Sequence, residues 1–525
     1  MTGQLTASGA PPRPRQATRL AGVVTAALAL GVTELVAGAL PGAVSLVGAV
    51  GDAAVDWLPG PVVKFGIEAF GTDDKTVLIG VILILSAVFG AVLARVADRR
   101  PAVPYAGFAA FGLLGGLAAL RDPQARVWAV IVCAGAGAAV GSVALRFLLR
   151  LSAPPAPAST TTPAQPIGVP DRRAFLAAAG TVAGVAVVAA ALGRSFSRAT
   201  ASASRLRYAL PGVSRPLPAA PPGATAAVEG MTPVVVPNDQ FYRIDTRLLG
   251  PPRIDAAGWR LRFTGMVERP FEITYDELLA LPMVEEYVTL SCVSNEVGGD
   301  LVGNAAWRGV PLATLLERAG VKPGADQIVG RAVDGFTVGF PTELATDGRH
   351  ALVAVGMNGE LLPTDHGFPA RLVVAGLYGY TSATKWLEEV ELTTWDSFDA
   401  YWIPRGWSKF APVKVQSRID AVRPESPIVA GPVVVAGVAW APHRGITRVE
   451  VQVDKEPWRE AELAEELSRS AWRQWLFRWP ATPGPHTLRV RATAGDGETQ
   501  TADIATPAPD GATGYHTIGV RVEES

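Results

Sequence analysis

Stretches almost devoid of polar positions fill the first third of the chain and then stop. Residues 20–40, 76–97, 104–120 and 127–149 are runs of Ala, Val, Leu, Ile and Gly. Each is close to the ~20 residues a helix needs to cross a hydrocarbon core of ~30 Å. None carries the polar face of a helix buried in a soluble domain. The run 104–120 is short and holds Gly112, Gly115 and Gly116, which suits close packing on a neighbouring helix. A weaker apolar stretch, 43–50, reads as an interfacial or re-entrant continuation of the first span. Arg13, Arg15 and Arg19 precede the first run, Arg95, Arg99 and Arg100 follow the second, and Arg146 and Arg150 follow the fourth. The segment 51–75 instead sets Asp52, Asp56, Glu68, Asp73 and Asp74 against Lys64 and Lys75. This bias places the N-terminus, the loop near 100 and the stretch after 150 in the cytoplasm. Residues 1–150 thus read as a four-helix transmembrane region.

A Pro/Ala/Thr-rich linker follows over 151–170. It delivers Asp171-Arg172-Arg173-Ala174-Phe175-Leu176 and an apolar run to Leu192. The arginine pair resembles a twin-arginine export signal, placed after four spans rather than at the N-terminus. The alternative is an ordinary pair of cytoplasmic anchors. In either case 171–194 is a fifth transmembrane helix, and the chain beyond lies outside the cytoplasmic membrane. Residues 195–230, rich in Pro, Ala and Ser, read as a second tether.

The period then changes. Within 231–410, short apolar strands at 259–267, 287–290, 328–333, 351–355 and 372–374 alternate with helical stretches at 275–281, started by Thr274, and at 312–319. This pattern predicts an α+β domain. Within 411–525 strands follow one another without helices, at 433–440, 446–453, 475–479 and 488–494, with turn signals at Pro483-Gly484 and Gly495-Asp496-Gly497. That spacing predicts a β-sandwich, with Trp440, Trp458, Trp472, Trp475 and Trp479 as core or sheet-face residues.

Composition narrows the function. Charged residues make up 18% of the 525 positions and hydrophobic ones 49%, far from a charged disordered tail. Lys+Arg of 47 against Asp+Glu of 48 gives no basic field, which argues against nucleic acid as a partner. Two cysteines preclude a disulfide scaffold, and five histidines without an HExxH pair argue against a protein-ligated zinc site. Cys133 lies in the fourth span, so Cys292 is the only cysteine beyond the spans. A cysteine at a strand end before a Gly/Asn-rich loop is an inert core residue, a nucleophile or a metal thiolate. A soft thiolate needs no second cysteine where a cofactor supplies the other ligands.

The motifs resemble those of the sulfite oxidase family of molybdopterin-dependent oxidoreductases, in a membrane-anchored bacterial form. The segment Thr289-Leu290-Ser291-Cys292 through Asn304 and Trp307 is similar to its molybdenum-binding segment. The run Met357-Asn358-Gly359-Glu360-Leu361-Leu362-Pro363-Thr364-Asp365-His366-Gly367-Phe368-Pro369-Ala370-Arg371, and Lys385-Trp386 after the Gly376–Gly379 turn, match further signatures. The half beyond 411 is similar to the family's immunoglobulin-like dimerisation domain. The resemblance covers about 230–525 and leaves the membrane half untouched. It implies a molybdenum–molybdopterin cofactor with Cys292 as the thiolate ligand. Asn304, His366, Arg371, Gly376 and Lys385 would hold the pterin and its phosphate. Asn238-Asp239-Gln240-Phe241-Tyr242-Arg243 resembles an early active-site strand, which puts Asn238, Phe241 and Tyr242 beside the cofactor and Arg243 on a substrate anion. Tyr401 matches the active-site tyrosine of sulfite oxidases, and Tyr378 that of the methionine sulfoxide reductase branch.

Two departures bear on the substrate. The second arginine expected after the cysteine is replaced by Glu296-Val297, and Asp245 stands where a pterin-binding histidine belongs. Losing a cation weakens the case for a dianion such as sulfite. The implied chemistry is oxygen-atom transfer on a small sulfur compound at the outer face of the cytoplasmic membrane. Sulfoxide reduction, or a non-catalytic membrane-tethered binding protein, is the alternative. The chain has no CxxCH, so the resemblance calls for a separate cytochrome or quinone as electron partner, with membrane lipid around the spans and a homodimer formed through the C-terminal domain.

Overall fold

The structure is a computed structural model that describes residues 15–59, 62, 65–66, 69–70, 73–97, 100–152, 172–422 and 428–524. Most of the linker expected over 151–170 lies outside the described residues, as do Arg13, Lys64, Glu68, Arg99 and Asp171 of the charge patterns above. The chain forms two compact units, a helical one up to Thr200 that also takes in Thr246–Arg253, and a β-rich one with the rest.

The helical unit contains α1 (Arg15–Ala39), α2 (Leu46–Trp57), α3 (Asp74–Ala97), α4 (Val103–Ala119) and α5 (Val127–Leu151), and the greater part of α6 (Arg172–Arg205). Among the described residues α1, α3, α5 and α6 are long and apolar enough to cross a membrane; α4, in the expected third span, is shorter. The stretch 43–50 is not a continuation of α1. Ser45 accepts from the Gly48 N–H (3.0 Å) and starts α2 as a separate helix. Glycines set the packing on α1. Gly22 meets Gly90 of α3 backbone to backbone, and Gly31 and Gly38 meet Ala186 and Gly193 of α6, so closely that any side chain would collide.

Thr246–Arg253 joins this unit rather than the domain expected over 231–410. Arg247 pairs with Asp122 at 3.1 Å, Leu248 N–H donates to Asp52 (3.1 Å), and Arg253 Nη1 donates to the Gly38 carbonyl (2.9 Å). The two arginines and the Leu248 N–H thus find partners that a free loop would lack.

The tether expected over 195–230 takes a different form. α6 runs on to Arg205, since no Gly or Pro interrupts Arg194–Leu210. The chain beyond is laid on the β-unit: Ser214 N–H donates to Met283 O (2.8 Å), Arg308 to Pro211 O (2.8 Å), and Ala226 N–H to Gln474 (2.8 Å).

In the β-unit, the first ten strands are β1 (Arg260–Gly265), β2 (Phe271–Thr274), β3 (Val284–Ser291), β4 (Val302–Pro311), β5 (Gln327–Ala332), β6 (Thr337–Pro341), β7 (Ala351–Met357), β8 (Glu360–Leu361), β9 (Arg371–Val374) and β10 (Leu387–Thr393). One sheet has the order β2-β1-β10-β5-β6, with β1 parallel to β10. The other is β3-β4-β7-β8, with β9 also on β7. Thr274 starts α7 (Tyr275–Leu279) through a capping box with Glu277. α8 (Leu312–Ala319) has the predicted bounds; Leu312, Leu315, Leu316 and Ala319 are its buried stripe. β4 went unseen in the sequence because nearly every position on it is buried, leaving no alternation to read.

The C-terminal half is two sheets. One has Gln416–Ile419, Gly431–Trp440, Arg473–Ala481 and Glu462–Leu463 in that order. The other has Ile428–Val429, His516–Glu523, Gly484–Ala494, Ile446–Val453 and Arg459–Glu460. Val435, Val449, Trp475, Phe477 and Val490 share one core between them, which makes a sandwich. Trp440 and Trp472 instead join the core of the α+β half.

Candidate molybdopterin site

The ends of β3, β7 and β9 and the turns that follow them bring most of the expected residues together. Cys292 directly follows β3, half-buried, with its carbonyl accepting from Asn295 N–H (3.1 Å). Burial pushes its thiol pKa up, while hydrogen bonds from Ser294 and the charge of Lys385 pull it down. A thiol balanced in this way gains most from a cation that takes its proton's place.

Arg371 opens β9 and is buried at 4% exposure. Its guanidinium lies 4.9 Å over the Trp307 ring and donates to the His366 carbonyl (3.1 Å). Burial lowers its pKa to about 10. Among the described residues no carboxylate pairs with it. A buried, uncompensated cation is costly, and an anionic ligand would relieve that cost.

His366 is held by Nε2 against the Asn238 carbonyl (2.9 Å). Burial and then Arg371 push its pKa down to about 4, so it is neutral. Nε2 carries the proton toward that carbonyl, and Nδ1 is left as an acceptor. Phe241 stands edge-on to both His366 (5.6 Å) and Trp307 (5.8 Å) and stacks on Tyr242 (5.2 Å). The Tyr242 phenol lies near Cys292, and burial raises its pKa.

Lys385 donates to the Asp365 carbonyl (3.2 Å) and pairs with Asp245 (3.4 Å). Burial brings its pKa down to about 8, against the pull of Asp245. Below that pH it is a cation; above it the charge is lost. Gly367 lets these cations converge. A Cβ there would lie 3.1 Å from both the Arg371 Cβ and the Lys385 Cα.

Tyr378 is buried, and its pKa is pushed up to about 12 by burial, with the charges of Asp510 and Cys292 adding to the rise. The Lys414 backbone pulls the other way.

Four expected residues play other parts. Asn304 is fully buried, accepting from Thr289 (3.1 Å) and donating to Val234 O (2.8 Å), so it ties the 234–236 segment to β4. The Asn238 side chain is spent on Met357 O (3.2 Å), Glu360 (2.6 Å) and Asn358 (2.8 Å); it serves the site through its carbonyl. Gly376, at φ +87°, faces the Pro442 carbonyl and Arg349. Gly379 is the glycine beside Tyr242 and the Ser291 carbonyl. Tyr401 packs with Phe336 (5.5 Å) and Trp402 (5.2 Å), with Arg405 3.8 Å above its ring.

Arg243 is exposed and doubly paired, with Asp245 (3.1 Å) and Asp365 (3.0 Å). The sequence expects Arg243 on a substrate anion; the fold pairs it with two carboxylates, Asp245 and Asp365. The signal was present in Asp365-His366, but pairing across more than a hundred residues is invisible without the fold. Gly367 and Ser294 carry no separate expectation from the sequence, and Trp307 enters it only as part of the molybdenum-binding motif.

These residues fit a pterin-held metal. One lone thiol, one uncompensated buried guanidinium, a lysine and a neutral imidazole acceptor form a donor set for a soft metal and an anionic heterocycle.

Comparison with known proteins agrees. Residues 248–402 match the family described as oxidoreductase molybdopterin binding domain. Human mitochondrial sulfite oxidase is 29% identical over 311 residues, covering 50% of this chain and 56% of its own. An NADH nitrate reductase of Solanum lycopersicum is 33% identical over 180 residues, 29% of this chain and 20% of its own. The crystal structure of the sulfane dehydrogenase SoxCD from Paracoccus pantotrophus covers 57% of this chain and 82% of that one, at 25% identity and TM-score 0.48. The chain thus spans about half the length of the sulfite oxidase and a fifth of the nitrate reductase. Residues 248–402 are an oxidoreductase molybdopterin binding domain of the sulfite oxidase and nitrate reductase type, and molybdopterin is the cofactor of that domain.

Proposed function

We propose that this chain is a membrane-anchored molybdopterin enzyme that transfers an oxygen atom to or from a small sulfur compound. The observation that carries this reading is the half-buried Cys292 thiol under the charge of Lys385, with the buried Arg371, which pairs with no carboxylate among the described residues, in the same cluster through Tyr242. Cys292 would ligate molybdenum, Arg371 and Lys385 would hold the pterin phosphate, and His366 Nδ1 would accept from a pterin N–H. When bound, the group supplies oxygen-atom transfer coupled to a two-electron redox change. The chain's own part is to bind, orient and exclude water. Tyr378 stays protonated at working pH and donates from its phenol, and the aromatic wall of Phe241, Tyr242 and Trp307 keeps the surroundings dry.

Direction and substrate follow from charge. The mouth of the cluster balances two cations, Arg243 and Lys385, with two carboxylates, Asp245 and Asp365, and Glu296 beyond the cysteine is exposed. A balanced mouth favours a neutral substrate over sulfite, so sulfoxide reduction is the second reading. Two assays on the purified full chain separate them. Sulfite-dependent reduction of an artificial acceptor supports the oxidase; sulfoxide-dependent oxidation of a reduced dye supports the reductase. Turnover in neither assay removes both.

The same proposal places α1, α3, α4, α5 and α6 across the cytoplasmic membrane as five spans in lipid, with the β-unit outside. α4 would need the locally thin bilayer or flanking residues that a short span requires. The electron partner would be a cytochrome or quinone, and the C-terminal sandwich, read as immunoglobulin-like, would carry a homodimer. Arg172→Lys with Arg173→Lys tests the export route. The β-unit should then become inaccessible to external protease in intact spheroplasts, and unchanged cleavage would refute twin-arginine export.

A further inference from the structure

Three groups of contacts run from the C-terminal half to the neighbourhood of Cys292. The first lies on the outer edge of β3, at the buried Thr289, three residues before the cysteine. Thr289 N–H donates to the Ser470 carbonyl (2.9 Å), and its hydroxyl accepts from Trp472 N–H (2.7 Å). The second lies on the loop after the cysteine. Arg418 is buried, donates to the Gly299 carbonyl (2.6 Å) and to Thr232 (2.9 Å), and is neutralised by Asp420 (2.6 Å). The His516 ring packs on Gly298 so closely that no side chain would fit there. The third reaches Tyr378. The Lys414 ammonium holds Asp510 (2.9 Å) and the Gly511 carbonyl (2.7 Å). Gly511 then sits at φ +105°, where a Cβ would lie 2.7 Å from the phenol Cζ.

These contacts are unlike an interface between modules that merely share a chain. They fall on the chain on both sides of Cys292 and on the Tyr378 phenol, which senses its charge. Each comes from a residue whose other bonds are already fixed, Arg418 by Asp420 and Gly511 by Lys414. A loop of glycines, Gly298-Gly299, has little rigidity of its own, so its position is set from outside.

We propose that the C-terminal β-sandwich is a positioning element of the Cys292 site, acting through Arg418 on the loop after the cysteine and through Gly511 on Tyr378. Arg418 and Gly511 are positioning residues and touch no reacting atom. The inference deepens the proposed function by assigning part of the metal site to the sandwich, and it rests on Cys292 as the metal ligand.

The test uses the full chain in detergent, first without metal. Alkylation of Cys292 by iodoacetamide is followed by peptide mass spectrometry, where Cys133 gives a separate peptide. Arg418→Gln and Gly511→Ala should each raise the rate at Cys292 about fivefold or more, because thiol reactivity follows exposure and position. Arg418→Lys, which can still reach Gly299 O, should stay near wild type. Arg491→Gln, which breaks a pair with Glu450 on the outer sheet (2.9 Å), should also leave the rate unchanged. With molybdenum loaded, the first two variants should keep the metal and show an altered Mo(V) electron paramagnetic resonance signal. Wild-type alkylation rates in both, or an equal rise in Arg491→Gln, would overturn the proposal. A wild-type chain that never takes up molybdenum would sink the functional reading alone, because the alkylation rates would still report the positioning.

Discussion

Cys292→Ser should leave a folded chain that has lost essentially all turnover. A serine alkoxide is a harder, far more basic donor than a thiolate and a poor match for a soft redox metal. The expected fall is about 10³-fold or more in kcat, equivalent to roughly 4 kcal/mol of barrier. Stability should change little, since the thiol is half-buried and its neighbours, Ser291 and Ser294, are themselves polar. The check is kcat in whichever dye assay the wild type supports, with unfolding followed on the same samples. Turnover within about tenfold of wild type would remove Cys292 from the metal.

Arg371→Met should act differently, on retention rather than chemistry. In the folded protein the guanidinium is buried without a carboxylate, so removing its charge relieves a desolvation cost in the apo chain. The apo chain should therefore hold or gain stability. The loaded chain should lose a charge-assisted contact worth about 1.5–3 kcal/mol, or roughly 10- to 100-fold in pterin affinity. Pterin fluorescence of the released cofactor, measured per chain after gel filtration, reads this directly. Full retention with an unchanged apo stability would mean that Arg371 serves the Trp307 ring alone. Lys385 gives the effect a pH dependence. Its pKa is lowered to about 8, so its contribution to binding a phosphate is complete well below that pH and fades as pH rises through it.

Legibility in the sequence followed the physics of each element. The helix Leu312–Ala319 was read to the residue because its apolar positions repeat at helical spacing on one face. The long apolar runs of α1, α3, α5 and α6 needed only counting. β4 hid because both of its faces are covered, and the end of α6 hid because small polar residues in 194–205 permit a helix without demanding one. In the site, Cys292, His366, Arg371 and Lys385 were reached through motif order, and the structure brings them to one place. Tyr401 and Gly376 were drawn from the same motifs but lie among other neighbours. The Arg243–Asp365 pair and the role of Asn304 depend on which strands become adjacent, and no local pattern records that.

The departure at Asp245 gains meaning from this geometry. The carboxylate that replaces the expected histidine is buried and bonds both Lys385 and Arg243. It balances the two cations with carboxylate charge.

The central claim is that residues 248–402 hold molybdenum through Cys292 and a pterin. Its most direct test is the molybdenum and pterin content of the full chain, purified in detergent from a molybdenum-replete host. The account predicts close to one of each per wild-type chain, with the metal much reduced in Cys292→Ser. Neither metal nor pterin in the wild type, or equal metal in both proteins, would contradict it.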